Sequence, residues 1–168
     1  MFLSFNQKNT NRFQASGIQP VSFAALPSFE NSLTGQIEKG DVRVDTVRQF
    51  FNQYRSPLEP FAQNVVSAAD QYNIDFRLIP AIAMQESNLC KKIIVNSFNC
   101  WGFGIYGKKR TAFDNYSQAI EAVTKKLAEY AKSGLKTPEE IMTKYTPSSN
   151  GVWANSVNHF LNSLNYTL

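Results

Sequence analysis

Glu86 is the residue whose position in this sequence most clearly suggests chemistry. The segment 78–87 has helical spacing, and Glu86 lies one turn beyond its apolar stripe, which comprises Leu78, Ile79, Ile82 and Ala83. A carboxylate on an apolar face costs several kcal/mol unless it is paired, so we expect its pKa to rise. A raised pKa suits a general acid that works near neutral pH. The alternative is an ordinary solvated glutamate at a helix end.

Size and charge restrict the classes of protein to which the chain can belong. Its 168 residues suffice for one domain with a core, and 43% hydrophobic against 18% charged residues indicates a globular protein. The net charge of +4 favours an anionic partner such as cell-wall polymer or an acidic membrane. Nucleic acid is not expected, because the sequence has no Lys/Arg-rich run and no nucleic-acid motif. No stretch reaches the ~20 apolar residues of a membrane span.

Two cysteines, Cys90 and Cys100, follow Glu86 and are separated by nine residues. This spacing is compatible with one small disulfide, and the alternative is a pair of reduced, buried cysteines in a cytosolic protein. We favour the disulfide because both cysteines flank the loop that follows Glu86. A disulfide predicts an extracytoplasmic location, in the cell envelope or secreted. The segment 21–26 is too short for a signal peptide, so we expect a mature or truncated form or another export route.

The pattern along the chain predicts a leader and one domain. Residues 1–40 lack sustained periodicity, and we expect a disordered or loosely docked segment. Residues 41–168 form the predicted domain, a mainly α (α+β) fold of about six helices. A small β-hairpin flap is expected where the segments 101–106 and 111–116 bracket a turn. Ser117 is the predicted N-cap of the helix that follows, and Thr137 with Glu140 forms a capping box that opens the next helix.

Several segments between residues 60 and 165 resemble lysozyme-like peptidoglycan-cleaving enzymes. The helix that ends in Glu86 and Ser87 looks like the Glu-Ser helix of bacterial glucosaminidases and lytic transglycosylases. The segment 96–105 is similar to the glucosaminidase pattern S-x-N-x-(F/W)-G, and 113–117 to its F-x-x-Y-x-S region. The segments 145–147 and 153–157 are similar to the closing tyrosine region. The sequence lacks the G-L-M-Q motif that follows the glutamate in soluble transglycosylases.

The resemblance implies cleavage of the β-1,4 bond between N-acetylglucosamine and N-acetylmuramic acid, without a cofactor. Glu86 is the implied general acid, and Tyr145 matches a tyrosine near the reacting centre. The second carboxylate is open: Asp114 lies in the expected flap, whereas Glu121 lies on a helix and reads as a solvated residue. With no second carboxylate, Glu86 would serve as acid and then base, and the muramyl 6-hydroxyl would give an anhydro product. Hydrolysis and anhydro formation both remain open.

Candidate substrate-binding residues are those that could stack on sugar rings or hold an acetamido group. Each has an alternative structural role, the aromatic residues as core and the polar residues as loop braces. The set comprises Ser87, Ser97, Asn99, Trp101, Phe103, Tyr106, Tyr116 and Trp153. His159, the single histidine, is read as structural, and no metal site is expected because no four-ligand spacing exists.

Three functions of different classes are compatible with these features. The first is a monomeric glycosidase whose partner is peptidoglycan or a related N-acetylhexosamine polymer. The second is a non-catalytic wall-binding module on the same scaffold, in which Glu86 only hydrogen-bonds sugar. The third is a secreted helical interaction protein with no glycan ligand.

Overall fold

The computed structural model describes residues 40–105 and 107–165, and this part of the chain is mainly helical, as the sequence predicts. A short 3₁₀ helix, Glu59–Phe61, precedes the second α-helix. None of the helices in the described ranges combines the length and apolar character that a membrane crossing requires. The predicted leader lies outside the described residues except for its last residue, Gly40. The six α-helices are α1 Val42–Gln53, α2 Ala62–Tyr72, α3 Leu78–Ser87, α4 Tyr116–Lys132, α5 Pro138–Tyr145 and α6 Val152–Ser163.

Helix α3 is the central element of the fold. It packs against α6 and α4, while α1 packs on α2, α2 on α4 and α5 on α6. A helix surrounded in this way needs apolar residues on every face rather than on one stripe. Eight of its ten residues are buried accordingly: Leu78, Ile79, Pro80, Ala81, Ile82, Ala83, Met84 and Ser87. Only the last turn, at Gln85 and Glu86, is open to solvent.

Local signals begin and end the peripheral helices. Asp41 caps α1, with its carboxylate accepting from Arg43 N–H at 3.0 Å. The capping box at α5 is confirmed, with Thr137 and Glu140 each accepting from the other's backbone N–H. The predicted N-cap of α4 was wrong: Asn115, not Ser117, accepts from the backbone N–H of Gln118. Asn115 has the extended backbone that an N-cap needs, whereas Ser117 already lies inside the helix.

The predicted β-hairpin flap is not seen among the described residues. The segment between α3 and α4 is a run of turns, with one isolated bridge residue at Lys109. The backbone φ is positive at Asn96, Phe98, Gly102 and Gly104, so the chain repeatedly reverses direction and cannot form a regular ladder. Side chains, rather than a strand pair, hold this segment together.

The predicted disulfide between Cys90 and Cys100 is present, and it ties the turn after α3 to the loop that passes over it. Ser87, just before the turn, reinforces the link. Its Oγ accepts from Cys90 N–H at 2.9 Å and lies 2.7 Å from the carbonyl oxygen of Cys100. The covalent bond and these contacts place residue 101 and its successors beside the last turn of α3.

Candidate active site

Glu86 lies on a cleft of about 760 Å³ between the end of α3, the loop after Cys100, α4, α5 and the start of α6. Because α3 is fixed on its other faces, the position of Glu86 is fixed by the core. The cleft is lined by Gln85, Glu86, Gly102, Phe103, Gly104, Ile105, Lys109, Thr111, Lys126, Tyr130, Lys144, Tyr145, Thr146 and Trp153. Glu86 is the one acidic residue among these described lining residues.

The carboxylate of Glu86 is accessible from the cleft, so of the two interpretations left open by the sequence the fully buried stripe residue is not found. Protein atoms nevertheless crowd it from the sides. This partial desolvation raises the pKa of Glu86 above the usual glutamate value, and a hydrogen bond from Trp153 opposes the rise. The expected direction of the shift is therefore found, and the environment is a cleft floor instead of an apolar core.

Trp153 and Tyr145 form the wall of the cleft against which Glu86 rests. Trp153 donates its indole N–H to Glu86 Oε1 at 2.6 Å, across 67 positions of sequence. Its ring stacks on Tyr145, with centroids 5.2 Å apart and planes inclined by 26°. Tyr145 in turn donates its hydroxyl to the backbone carbonyl of Trp101 at 2.5 Å. Helices α3, α5 and α6 are thus connected at one point.

Gly102 lies against the other oxygen of Glu86. A Cβ at this position would lie 3.3 Å from Glu86 Oε2, and the backbone has a φ of +61°, which glycine adopts without strain. Oε1 is occupied by the Trp153 N–H, so Oε2 is the oxygen available to carry a proton. Gly102 leaves that oxygen uncovered.

Comparison with known proteins does not place the chain in a family. It matches no protein-family model, and no curated protein or solved structure matches it significantly. What the site can do follows from its own residues and their geometry.

Four of the candidate substrate-binding residues brace the loop instead of facing the cleft. Trp101 is fully buried and donates its indole N–H to the carbonyl of Ile79 at 2.9 Å. Ser87 and Ser97 are also buried, and Ser97 Oγ accepts from Asn99 N–H at 3.2 Å. The Asn99 side chain makes three bonds, accepting from Phe103 N–H and donating to two carbonyl oxygens, those of residues 103 and 111.

Of the remaining candidates, some line the cleft and Tyr116 packs against the core. Phe103 lines the cleft and packs on Phe113, with ring centroids 5.9 Å apart. Tyr116 does not line it and instead contacts Phe61 and Phe98 edge-on, and burial raises the pKa of its phenol. Tyr106 lies outside the described residues.

Asp114, the candidate second carboxylate, is not brought to Glu86. It is exposed just before α4, where its Oδ2 accepts from the Gln118 side chain at 3.2 Å. Glu121 lies elsewhere on α4 and accepts from the Tyr72 hydroxyl at 2.5 Å. Neither carboxylate lines the cleft.

Sequence reasoning missed several cleft residues, among them Lys109, Thr111, Lys126, Tyr130 and Lys144. No local signal marks them, because an exposed lysine that faces a cleft has the same sequence context as one that faces open solvent. The role of Gly102 was missed for a similar reason, since the contact between the Gly102 backbone and the Glu86 carboxylate is a tertiary one.

The arrangement can transfer one proton and contact a ligand through aromatic side chains. A partly desolvated carboxylic acid at the floor of an open cleft suits protonation of a leaving oxygen. The described residues contain no group of three or more His, Cys, Asp or Glu side chains that could hold a metal ion.

Proposed function

We propose that this protein cleaves the glycan strand of peptidoglycan, at the β-1,4 bond between N-acetylglucosamine and N-acetylmuramic acid. One observation carries the proposal: Glu86, with a raised pKa, is the one carboxylate among the described residues that line an aromatic-walled cleft. Glycosidic cleavage needs an acid that is protonated near neutral pH, and sugar rings pack well on aromatic faces.

In the proposed first step, Glu86 Oε2–H gives its proton to the glycosidic oxygen. The bond from that oxygen to C1 breaks, its electron pair stays with the leaving sugar, and C1 develops oxocarbenium character. Trp153 holds Oε1 by a hydrogen bond of 2.6 Å, which orients the carboxyl group and supports the carboxylate that forms. Tyr145 braces Trp153 from behind.

In the proposed second step, the Glu86 carboxylate accepts a proton from the group that attacks C1. Asp114 and Glu121 lie outside the cleft lining, so a single-glutamate mechanism fits the described residues better than a two-carboxylate one. Attack by the muramyl 6-hydroxyl would close a 1,6-anhydro ring, and attack by water would give a reducing end. Single-glutamate chemistry favours the first of these products.

The scaffold and the location belong to the same proposal. A helix buried on nearly every face that ends in a cleft glutamate supports a lysozyme-like domain. The Cys90–Cys100 disulfide favours an extracytoplasmic location, where peptidoglycan is found and disulfides persist.

The proposal is tested by mass spectrometry of muropeptides after incubation of purified peptidoglycan with wild type and with Glu86→Gln. We expect new fragments from wild type only, with Glu86→Gln still bound to the wall, because the amide keeps the hydrogen bond to Trp153 but has no transferable acid proton. A mass lower by one water distinguishes anhydro products from hydrolysis. Wall binding without fragments from either protein would indicate the non-catalytic module instead.

A further inference from the structure

Two lysines from different elements line the cleft, and neither forms a salt bridge with a described carboxylate. Lys109 comes from the loop before α4 and Lys144 from the last turn of α5, and both side chains are exposed. No salt bridge within residues 40–105 and 107–165 includes either of them. Lys126 differs, because it pairs with Glu129 at 2.5 Å on its own helix.

The charge of the cleft in its working state is therefore positive. Glu86 is the one acidic lining residue described, and as a general acid it enters the reaction protonated and neutral. A concave surface of one charge sign between low-dielectric walls concentrates ligands of the opposite sign. A neutral sugar polymer would gain nothing from this charge.

We propose that Lys109 and Lys144 bind carboxylates carried by the glycan strand, so that the cleft selects an acidic N-acetylhexosamine polymer over a neutral one. The inference rests on the proposed function and names the feature of the substrate that the site recognises. A lysine ammonium is a mobile point charge on a flexible stem, which suits carboxylates whose position varies along a substituted strand. Stem peptides supply such carboxylates, and so do lactyl groups that bear no peptide, because a peptide-bearing lactyl group is an amide.

The test compares three substrates prepared from one batch of peptidoglycan: the intact polymer, the polymer with its carboxylates converted to neutral methylamides, and strands stripped of peptide so that only lactyl carboxylates remain. Cleavage rates are measured for wild type, Lys109→Gln, Lys144→Gln and the double variant. Lys108→Gln is the matched control, because Lys108 is an exposed lysine in the same turn that does not line the cleft.

We expect each cleft variant to lower kcat/KM on the intact polymer by about two- to fivefold, the range typical of exposed ion pairs. The loss should appear in KM, should shrink at high ionic strength and should be absent on the methylamide polymer. Lys108→Gln should match wild type. Retention of the effect on stripped strands shows that a free lactyl carboxylate is sufficient for recognition by the lysines, and its loss shows that the peptide carboxylates are required.

The inference is overturned if wild type cleaves the intact and methylamide polymers at equal rates. It is also overturned if the lysine substitutions lower the cleavage rates of both polymers to the same extent. Either result leaves the glycosidase proposal intact. If wild type cleaves none of the three substrates, the glycosidase proposal fails. Sedimentation with intact and methylamide sacculi then decides the charge preference by itself, since equal binding of both would overturn it.

Discussion

The hydrogen bond between Trp153 and Glu86 couples the acid to a residue on a different helix. The indole N–H stabilises the carboxylate and so counteracts the desolvation that raises the pKa of Glu86. The raised pKa of Glu86 is the net result of two opposing causes, and the hydrogen bond can be removed while an aromatic ring is kept in the cleft wall.

Trp153→Phe should raise the pKa of Glu86 further, because the ring remains and only the donor is lost. A general acid works while protonated, so the alkaline limb of the kcat/KM profile should move to higher pH. Tyr72→Phe is the control: it removes a hydrogen bond of 2.5 Å to Glu121, outside the cleft, and should leave the profile in place. An unmoved or acid-shifted limb in Trp153→Phe would show that the indole does not set the proton affinity of the catalytic group.

Gly102→Ala should lower both stability and activity. The φ of +61° makes any L side chain cost about 1–2 kcal/mol, and the added Cβ would lie 3.3 Å from Glu86 Oε2. Gly107→Ala is the matched control, since its φ is +54° and a Cβ there would meet nothing within 4 Å. Urea unfolding and cleavage assays should show similar stability losses for both but an activity loss only for Gly102→Ala. Equal activities would mean that the space over Oε2 is not needed.

At the scale of elements, the helices follow from local pattern and the loop between α3 and α4 does not. Apolar spacing predicted about six helices and the capping box predicted the start of α5, because each signal lies within a few residues of the turn that it specifies. The segments 101–106 and 111–116 on either side of a turn suggested a hairpin, but positive φ at Gly102 and Gly104 turns the chain instead. The Asn99 side chain then fixes the loop through bonds to residues 103 and 111.

The Cys90–Cys100 bond should contribute roughly 2–3 kcal/mol of stability, the value expected for a loop of this length from the reduced freedom of the unfolded chain. Replacing both cysteines by serine should therefore lower the midpoint of urea unfolding. A reductant should lower the midpoint of the wild type but not that of the double variant. Cleavage should weaken as well, because the disulfide anchors the loop that carries Gly102. A double variant as stable and as active as wild type would show that Ser87 and Asn99 hold the loop without it.

At the scale of the whole molecule, the acid makes the fold less stable at neutral pH. The pKa of Glu86 is raised in the folded state above its reference value of 4.5, so folding is favoured by protonation. The stabilisation that protonated Glu86 contributes is complete when the pH is below the pKa of this residue in the unfolded chain. It is lost as the pH rises through the pKa of Glu86 in the folded protein. A site suited to proton donation thus disfavours its own ionised form.

Glu86→Gln should accordingly be more stable than wild type above the folded pKa of Glu86 and nearly equal to it at acid pH. Denaturant unfolding across that pH range would give the difference directly. Glu129→Gln should be less stable than wild type where Glu129 is ionised, because Lys126 lowers the pKa of Glu129. This loss of stability should be small, since the ion pair is exposed. A stability difference for Glu86→Gln that does not vary with pH would contradict the raised pKa.

The sequence by itself determined the helices and the candidate acid, since apolar periodicity, caps and a glutamate at a helix end are properties of neighbouring residues. Only the tertiary structure decided what surrounds that acid. Packing of α6 on α3 brings Trp153 to Glu86, and the disulfide brings Gly102 beside it. The same packing buries Trp101 and leaves Asp114 outside the cleft. Which side chain contacts the carboxylate depends on how helices that are far apart in the sequence pack in one core. The spacing of neighbouring residues does not specify that packing.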